Sequence, residues 1–308
     1  MSKSDPILVT GAAGRMGSVG RKTVNDLRKD GYSVRAMVRQ DDDRAQSLRE
    51  TGAEVVCGDL TNPVDVVRVL DGCKRAYFGT SVSSSYLEAS CIFAAAAKEN
   101  NDLEVLVNIS QMTVSQMSLT NMTNSPQQKM HWLAEQVMNW SGIPVVHVRA
   151  TAFLEHFFFS SWAAESILKD GVIRLPFGAA KTSPIATDDV ASVVAAILKD
   201  PNGHIGKVYE LTGPKSQDIT AMAKEYAEAL HRPVKYVDMP FDEWYETEFI
   251  PHGLPGHVAS HIKEMARLHA ADRYNRQTND VEKLTGRPAT SVKEYVEKTV
   301  EVFGALKK

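Results

Sequence analysis

The stretch Ile7-Leu8-Val9-Thr10-Gly11-Ala12-Ala13-Gly14-Arg15-Met16-Gly17-Ser18 decides the fold. Three apolar β-formers run into a turn with a glycine at every third position, and a helical pattern follows over residues 16–29. Each glycine has a separate reason. Gly11 permits a tight turn, Gly14 lets the backbone approach a pyrophosphate, and Gly17 lets the helix pack closely on the strand. The phosphates of a dinucleotide then meet the free N–H groups and the positive end of the helix. Spaced glycines alone are a weak signal; a strand before them and a helix after them supply the context that the motif requires.

Outward from this loop, short β-branched runs alternate with helical patterns. Residues 7–10, 33–39, 54–57, 75–79, 104–110 and 144–149 read as strands, with helices near 16–29, 44–50, 63–70, 84–99 and 127–140 between them. Gly31, Gly52, Gly72 and Gly142 follow four of the helices as C-cap residues. Strands joined by crossover helices predict an α/β fold, a Rossmann-type doubly wound parallel sheet. After Arg149 the rhythm changes. Residues 153–169 read as one long helix, 172–176 as a strand, 188–198 as a helix, 208–211 as a further strand, and the rest as mostly helical with a strand near 234–237. The expected organisation is a dinucleotide-binding domain of residues 1–150 and 185–214, with a smaller, mostly helical substrate-side lobe of residues 151–184 and 215–308.

The end of the second strand bears on which dinucleotide is held. An NAD site places a carboxylate about 20 residues past the glycines, for the ribose hydroxyls. Here that place holds Arg39, with Arg44 soon after and Arg15 inside the loop. A guanidinium fork suits a 2′-phosphate, so NADP(H) is the expected cofactor. Asp41-Asp42-Asp43 is read as a solvated loop, although it would repel the phosphate if it folded inward. Two later strand ends complete the site. Gly58-Asp59-Leu60 offers Asp59 to an adenine amino group, and Gly79-Thr80-Ser81 lets a dinucleotide lie against the sheet.

The bulk composition excludes several function classes. A net charge of −3 gives no electrostatic footprint for nucleic acid, and no apolar run reaches the length of a membrane span. Three cysteines without a CxxC pair fit reduced thiols, with Cys57 and Cys91 read as small core residues, and a cytoplasmic location follows by default. Residue periodicity leaves the oligomeric state unread.

Together, the loop Thr10 to Gly17, Val38-Arg39, Gly58-Asp59-Leu60, His131-Trp132-Leu133-Ala134-Glu135 and Ser141-Gly142-Ile143-Pro144 resemble the NmrA-like group of atypical short-chain dehydrogenases/reductases. The resemblance extends through Phe153-Leu154-Glu155, Thr187-Asp188-Asp189-Val190-Ala191, Tyr209-Glu210-Leu211-Thr212-Gly213-Pro214 and Leu284-Thr285-Gly286-Arg287-Pro288, nearly the whole chain. It implies a Rossmann fold and NADP(H). It further implies either an NADPH-dependent reductase of quinones, dyes or benzylic ethers, or a redox-sensing regulator.

Ordinary short-chain dehydrogenases carry Tyr-x-x-x-Lys, yet none of the nine tyrosines here has Lys four residues on. The resemblance places His131 where several family reductases have lysine. An imidazole there can donate a proton or hold the nicotinamide ribose. Glu135, four residues on, shares its helix face. Ser110 resembles the serine position of short-chain dehydrogenases and is a catalytic candidate, with Gln111, Met112 and Thr113 following it to line the pocket. Ala150 and Phe153, at and just past the end of the sixth strand, join the expected cofactor pocket, as do Ala13 and Met16 in the loop. His131 with Glu135, and His257 with His261, have metal-like spacing, but neither pair has an identifiable third ligand, so no metal is expected. The expected function is hydride transfer to a small apolar or aromatic acceptor: a quinone, enone, imine or carbonyl. The alternatives are an NADP(H) sensor that binds another protein, and a non-redox isomerase or lyase with a tightly held cofactor.

Overall fold

Ile7, Leu8 and Val9 are at most 2% exposed and form the central strand β1 (Ile7–Val9) of a sheet covered on both faces. The computed structural model describes residues 3–14, 19–100 and 102–304. Arg15, Met16 and Gly17 of the expected site lie outside the described residues. In chain order follow α1 (Val19–Lys29), β2 (Val34–Val38), α2 (Asp43–Arg49), β3 (Glu54–Cys57), α3 (Pro63–Leu70), β4 (Arg75–Phe78), α4 (Tyr86–Glu99), β5 (Val105–Gln111), α5 (Pro126–Ser141) and β6 (Val145–Ala150). Then come α6 (Ser161–Asp170), β7 (Val172–Leu175), β8 (Lys181–Thr182), α7 (Thr187–Lys199), β9 (Val208–Leu211), β10 (Gln217–Asp218), α8 (Ile219–Leu230) and β11 (Lys235–Asp238). Four further helices close the chain: α9 (Phe241–Trp244), α10 (Gly256–Ala270), α11 (Asp280–Thr285) and α12 (Val292–Lys298).

The sheet runs β3-β2-β1-β4-β5-β6-β9, and the five pairings from β3 to β6 are parallel. This is the doubly wound Rossmann-type order that the alternation predicts. The order reverses at β1, whose neighbours are β2 and β4. Chain connections leave that switch point to opposite faces, which opens a crevice at the carboxyl ends of β1 and β4. Leu8, Phe78, Phe93 and Leu106 pack one face of the sheet against α3 and α4. Gly31, Gly52, Gly72 and Gly142 all have positive φ, as helix C-caps require.

Chain contacts divide the molecule into two units. The first comprises Met1–Met122, Gln127–Ala150 and Thr187–Glu210; the second, Thr123–Pro126, Thr151–Ala186 and Leu211–Lys308. The second unit holds its own core around Phe158, Phe177, Tyr226 and Trp244, with α8 and α12 packed together and β7 paired in parallel with β11. Among the described residues, no helix is long and apolar enough to cross a membrane.

Two expectations fail here for local reasons. The helix expected over residues 153–169 begins only at Ser161. Ahead of it Phe153 bridges Ile185, and Phe158 and Phe159 are buried among rings that include His269 and, for Phe158, Phe177. Continuous helix is given up for turns there. Cys57 is exposed and Cys91 half-buried, whereas Cys73 is the buried thiol. Cys57 ends β3, an edge strand whose two terminal residues are exposed, so its apolar neighbours in sequence misrepresent its surroundings.

Among the described residues, Gly20 is a glycine that brings α1 onto the loop. A Cβ there would lie 2.7 Å from Thr10 O, 3.0 Å from Gly11 C and 3.1 Å from Ala12 N, all backbone atoms that cannot swing away. Gly20→Val should therefore push α1 off the loop and cost about 1–3 kcal/mol of stability, read from a urea unfolding midpoint. An unchanged midpoint would show that this contact is dispensable.

Candidate functional site

The switch point is tied together by one side chain. Thr10, fully buried, donates its hydroxyl to Gly79 O (2.8 Å) and accepts from Gly79 N (2.9 Å), which locks the carboxyl end of β1 to that of β4. Its only hydroxyl proton is thus engaged, so Thr10 shapes the turn instead of reaching a ligand with that proton. Gly11 follows at φ +65°, and a Cβ on it would lie 2.5 Å from Gly79 O. Glycine is required there twice, for its backbone angle and for the close approach. Gly14 N closes the turn onto Gly11 O at 3.3 Å. Ala13 and Gly14 are half-buried, as is Thr80, while Gly79 is buried and Ser81 exposed.

At the end of β2, Arg39 is exposed and close enough to Asp59 for its charge to contribute to that carboxyl's lowered pKa. The larger causes of the lowering are the Thr61 backbone amide (2.9 Å) and hydroxyl (2.8 Å), both donated to Asp59 Oδ1. Leu60 packs half-buried against the sheet core. The aspartates beyond Arg39 are not simply solvated. Asp42 caps α2 through the amides of Arg44 and Ala45, and its Oδ2 also accepts from Arg44 Nε (2.9 Å) and Nη2. Arg44 Nη1 donates to Ala13 O at 3.0 Å, so the guanidinium lies against the glycine loop. Asp41 pairs both oxygens with Arg49 at 2.7 and 2.8 Å.

The ends of β5 and β6 bring a second group together. Ser110 and Arg149 are neighbours in register, followed by Gln111 and Ala150. The Ser110 and Thr113 hydroxyls are buried with no hydrogen-bond partner among the described residues. His131, on α5, is 7% exposed, and its ring lies 4.1 Å from that of Tyr86, centroid to centroid. Burial pushes the Tyr86 phenol pKa well up, and the nearby Glu135 carboxylate raises it further. Glu135 does not partner His131 as their spacing suggested. It is 1% exposed, and its oxygens accept from Arg149 Nε (3.0 Å) and Nη2 (2.6 Å), an ion pair that clamps α5 to β6. Beside it His147 takes a fixed neutral tautomer: Nε2 donates to Asn139 Oδ1 (3.1 Å), Nδ1 accepts from Asn108 Nδ2 (3.0 Å), and burial lowers its pKa.

In the second unit Phe153 is half-buried on its bridge to Ile185. His261 is buried with Nδ1 at 2.8 Å from the Ser125 hydroxyl, and burial pushes its pKa down to about 4. His269, sandwiched between Phe177 and Tyr274, is pushed down to about 3 for the same reason. Both are core imidazoles kept neutral. Among the described residues, no group of three or more His, Cys, Asp or Glu side chains is placed to hold a metal ion.

The pattern of the NmrA-like family matches residues 3–303. The chain belongs to the NmrA-like family. Within it, the chain is 27% identical to the NAD(P)H azoreductase of Xenophilus azovorans over 97% of its own length and 99% of the relative's. Its fold superposes on an NADPH-dependent quinone oxidoreductase from Escherichia coli, solved with NADPH, with TM-score 0.81 and 21% identity over 96% of this chain and 99% of that one. It also superposes on NmrA, a negative transcriptional regulator solved with NADP, with TM-score 0.81 and 18% identity over 98% and 97% of the two chains. Family and fold therefore stand as the sequence motifs implied. Three features of the site went unread: Gly20, Tyr86, and Arg149 as the partner of Glu135. A lone helical glycine, a lone aromatic at a helix start and an arginine 14 residues from its carboxylate carry no local sequence signal.

Proposed function

We propose that the chain is an NAD(P)H-dependent reductase whose dinucleotide lies along the carboxyl ends of β2, β1, β4 and β5, with NADP(H) as its cofactor and a small apolar or aromatic molecule as its acceptor. The observation that carries this reading is the Thr10–Gly79 tie, which holds Gly11 at the switch point where even a Cβ has no room. The residues fit such a cofactor. A bare glycine turn suits a pyrophosphate, and an exposed Arg39 suits a 2′-phosphate. The buried Ser110 and Thr113 hydroxyls, in and just past the end of β5, have no hydrogen-bond partner among the described residues and suit a polar ligand.

When bound, the reduced nicotinamide supplies a hydride. The chain does the rest. Gly11 and Gly14 let the backbone lie against phosphate, and Arg39 presents its fork to the 2′-phosphate. Asp59, with Oδ1 engaged by Thr61, keeps Oδ2 for an adenine amino group. Ser110 and Thr113 stand in and just past the carboxyl end of β5, where their hydroxyls would serve the reacting end, and the His131 imidazole would hold or supply a proton in place of the missing Tyr-x-x-x-Lys. Quinones, enones, imines and carbonyls all accept hydride at carbon or oxygen and then need one proton, a donor's role that an imidazole can fill.

Purified protein should oxidise NADPH in the presence of at least one member of a panel of quinones, enones, imines, aldehydes and azo dyes, followed by NADPH absorbance. A protein that binds NADPH by titration calorimetry yet reduces nothing across the panel would move the reading to the second one, an NADP(H) sensor. The absent Tyr-x-x-x-Lys favours that reading.

A further inference from the structure

Residues 39–49 contain three arginines and three aspartates, so the segment after β2 carries no net charge where a 2′-phosphate would want a cation. The pairing within it is uneven. Asp41 and Arg49 satisfy each other at the exposed far end of α2. Arg39 is the guanidinium at the strand end, offset in part by Asp59. Among the described residues, Arg44 is the one cation of this segment that reaches the glycine loop, through Nη1 on Ala13 O, and Asp42 holds its Nε and Nη2 edge. That edge is the two-nitrogen fork with which arginine grips phosphate or carboxylate.

From this geometry we infer that Asp42 is a specificity-determining residue: it occupies the fork of Arg44 and so limits how strongly the site prefers NADPH over NADH. The inference rests on the cofactor reading above and adds to it. A 2′-phosphate must compete with a carboxylate already in place, whereas NADH, with hydroxyls alone, leaves the Arg44–Asp42 pair intact. The wild type should therefore use both cofactors, with Arg39 supplying most of the discrimination. Asp42 also caps α2, but asparagine caps a helix as well as aspartate does. The substitution Asp42→Asn thus removes the competing charge while it keeps the cap.

The experiment is a binding cycle read by titration calorimetry with NADPH and NADH separately, on wild type, Asp42→Asn, Arg44→Ala and the double variant. Asp42→Asn should tighten NADPH by roughly three- to tenfold, about the size of one solvent-screened ionic contact regained, and leave NADH within about twofold. In the Arg44→Ala background the same change should do much less, because there is no fork to release. An NADPH gain that persists in full without Arg44 would mean that Asp42 acts by plain repulsion, and overturns the inference. An unchanged NADPH-to-NADH ratio in a folded Asp42→Asn, checked by circular dichroism, also overturns it and leaves the cofactor reading standing. A wild type that binds neither dinucleotide overturns both.

Discussion

Glu135→Ala should cost about 3–5 kcal/mol of folding stability, because it leaves a guanidinium without the carboxylate that neutralises it. Glu135 is 1% exposed, and the Arg149 side chain 18%. Both carboxylate oxygens are used, at 3.0 and 2.6 Å, and all of the partner's charge-assisted bonding on that side is lost at once. The pair is not itself a large source of stability, since two desolvated ions gain little over apolar residues of the same shape. The test follows from that asymmetry. Glu135→Leu combined with Arg149→Met should recover most of the loss that Glu135→Ala incurs, and urea melts of the singles and the double give the coupling. A Glu135→Ala variant within about 1 kcal/mol of wild type would mean that water reaches the pair and solvates Arg149, contrary to its placement here. The pair also bears on the site. Glu135 lies one helical turn from His131, so the clamp of α5 on β6 sets where the imidazole sits against Tyr86.

The parts of this molecule that were legible in the sequence are those encoded by neighbours along the chain. The loop from Thr10 to Gly14 and the strand runs of the sheet are local patterns, and the parallel order follows from their alternation with helices. Arg39 was readable as a site candidate because strand ends in this fold have a fixed job. What escaped depends on partners far away in sequence. Helical spacing matched Glu135 with His131, but the carboxylate found Arg149 across the β6 contact, where burial rewards a two-bond ion pair. The triple aspartate looked like a solvated run, yet two of its members have specific arginine partners. The second unit was the least legible. Its β8 and β10 are two residues each, and Tyr245–Phe249 is a single π turn, so these pieces are too short to show a period. The aromatic run from Phe157 to Phe159 also misled, because clustered rings pack in several directions and need no single helical face.

His131→Ala is the variant expected to lose most activity. The geometry sharpens what it should do. His131 is 7% exposed and its ring lies tilted against that of Tyr86, so its removal opens a hole and forfeits a ring contact, at a cost of about 1–3 kcal/mol. Thermal melts should register that loss while the protein remains folded. Activity should fall much further. If the imidazole supplies the proton that follows hydride, kcat should drop by roughly 10²-fold, with NADPH affinity changed only a few-fold. His131→Gln keeps most of the volume and a hydrogen-bonding group but cannot deliver a proton near neutrality, so it should regain stability without regaining kcat. His131→Lys separates the two remaining roles. An ammonium can anchor a ribose hydroxyl, and would restore a good part of the rate if anchoring is what His131 does. It titrates too high to replace an imidazole acid near neutral pH, and would restore little if proton delivery is. Wild-type kcat in a folded His131→Ala that still binds NADPH would remove His131 from the chemistry. The search for the proton would then turn to Ser110, whose buried hydroxyl has no partner among the described residues.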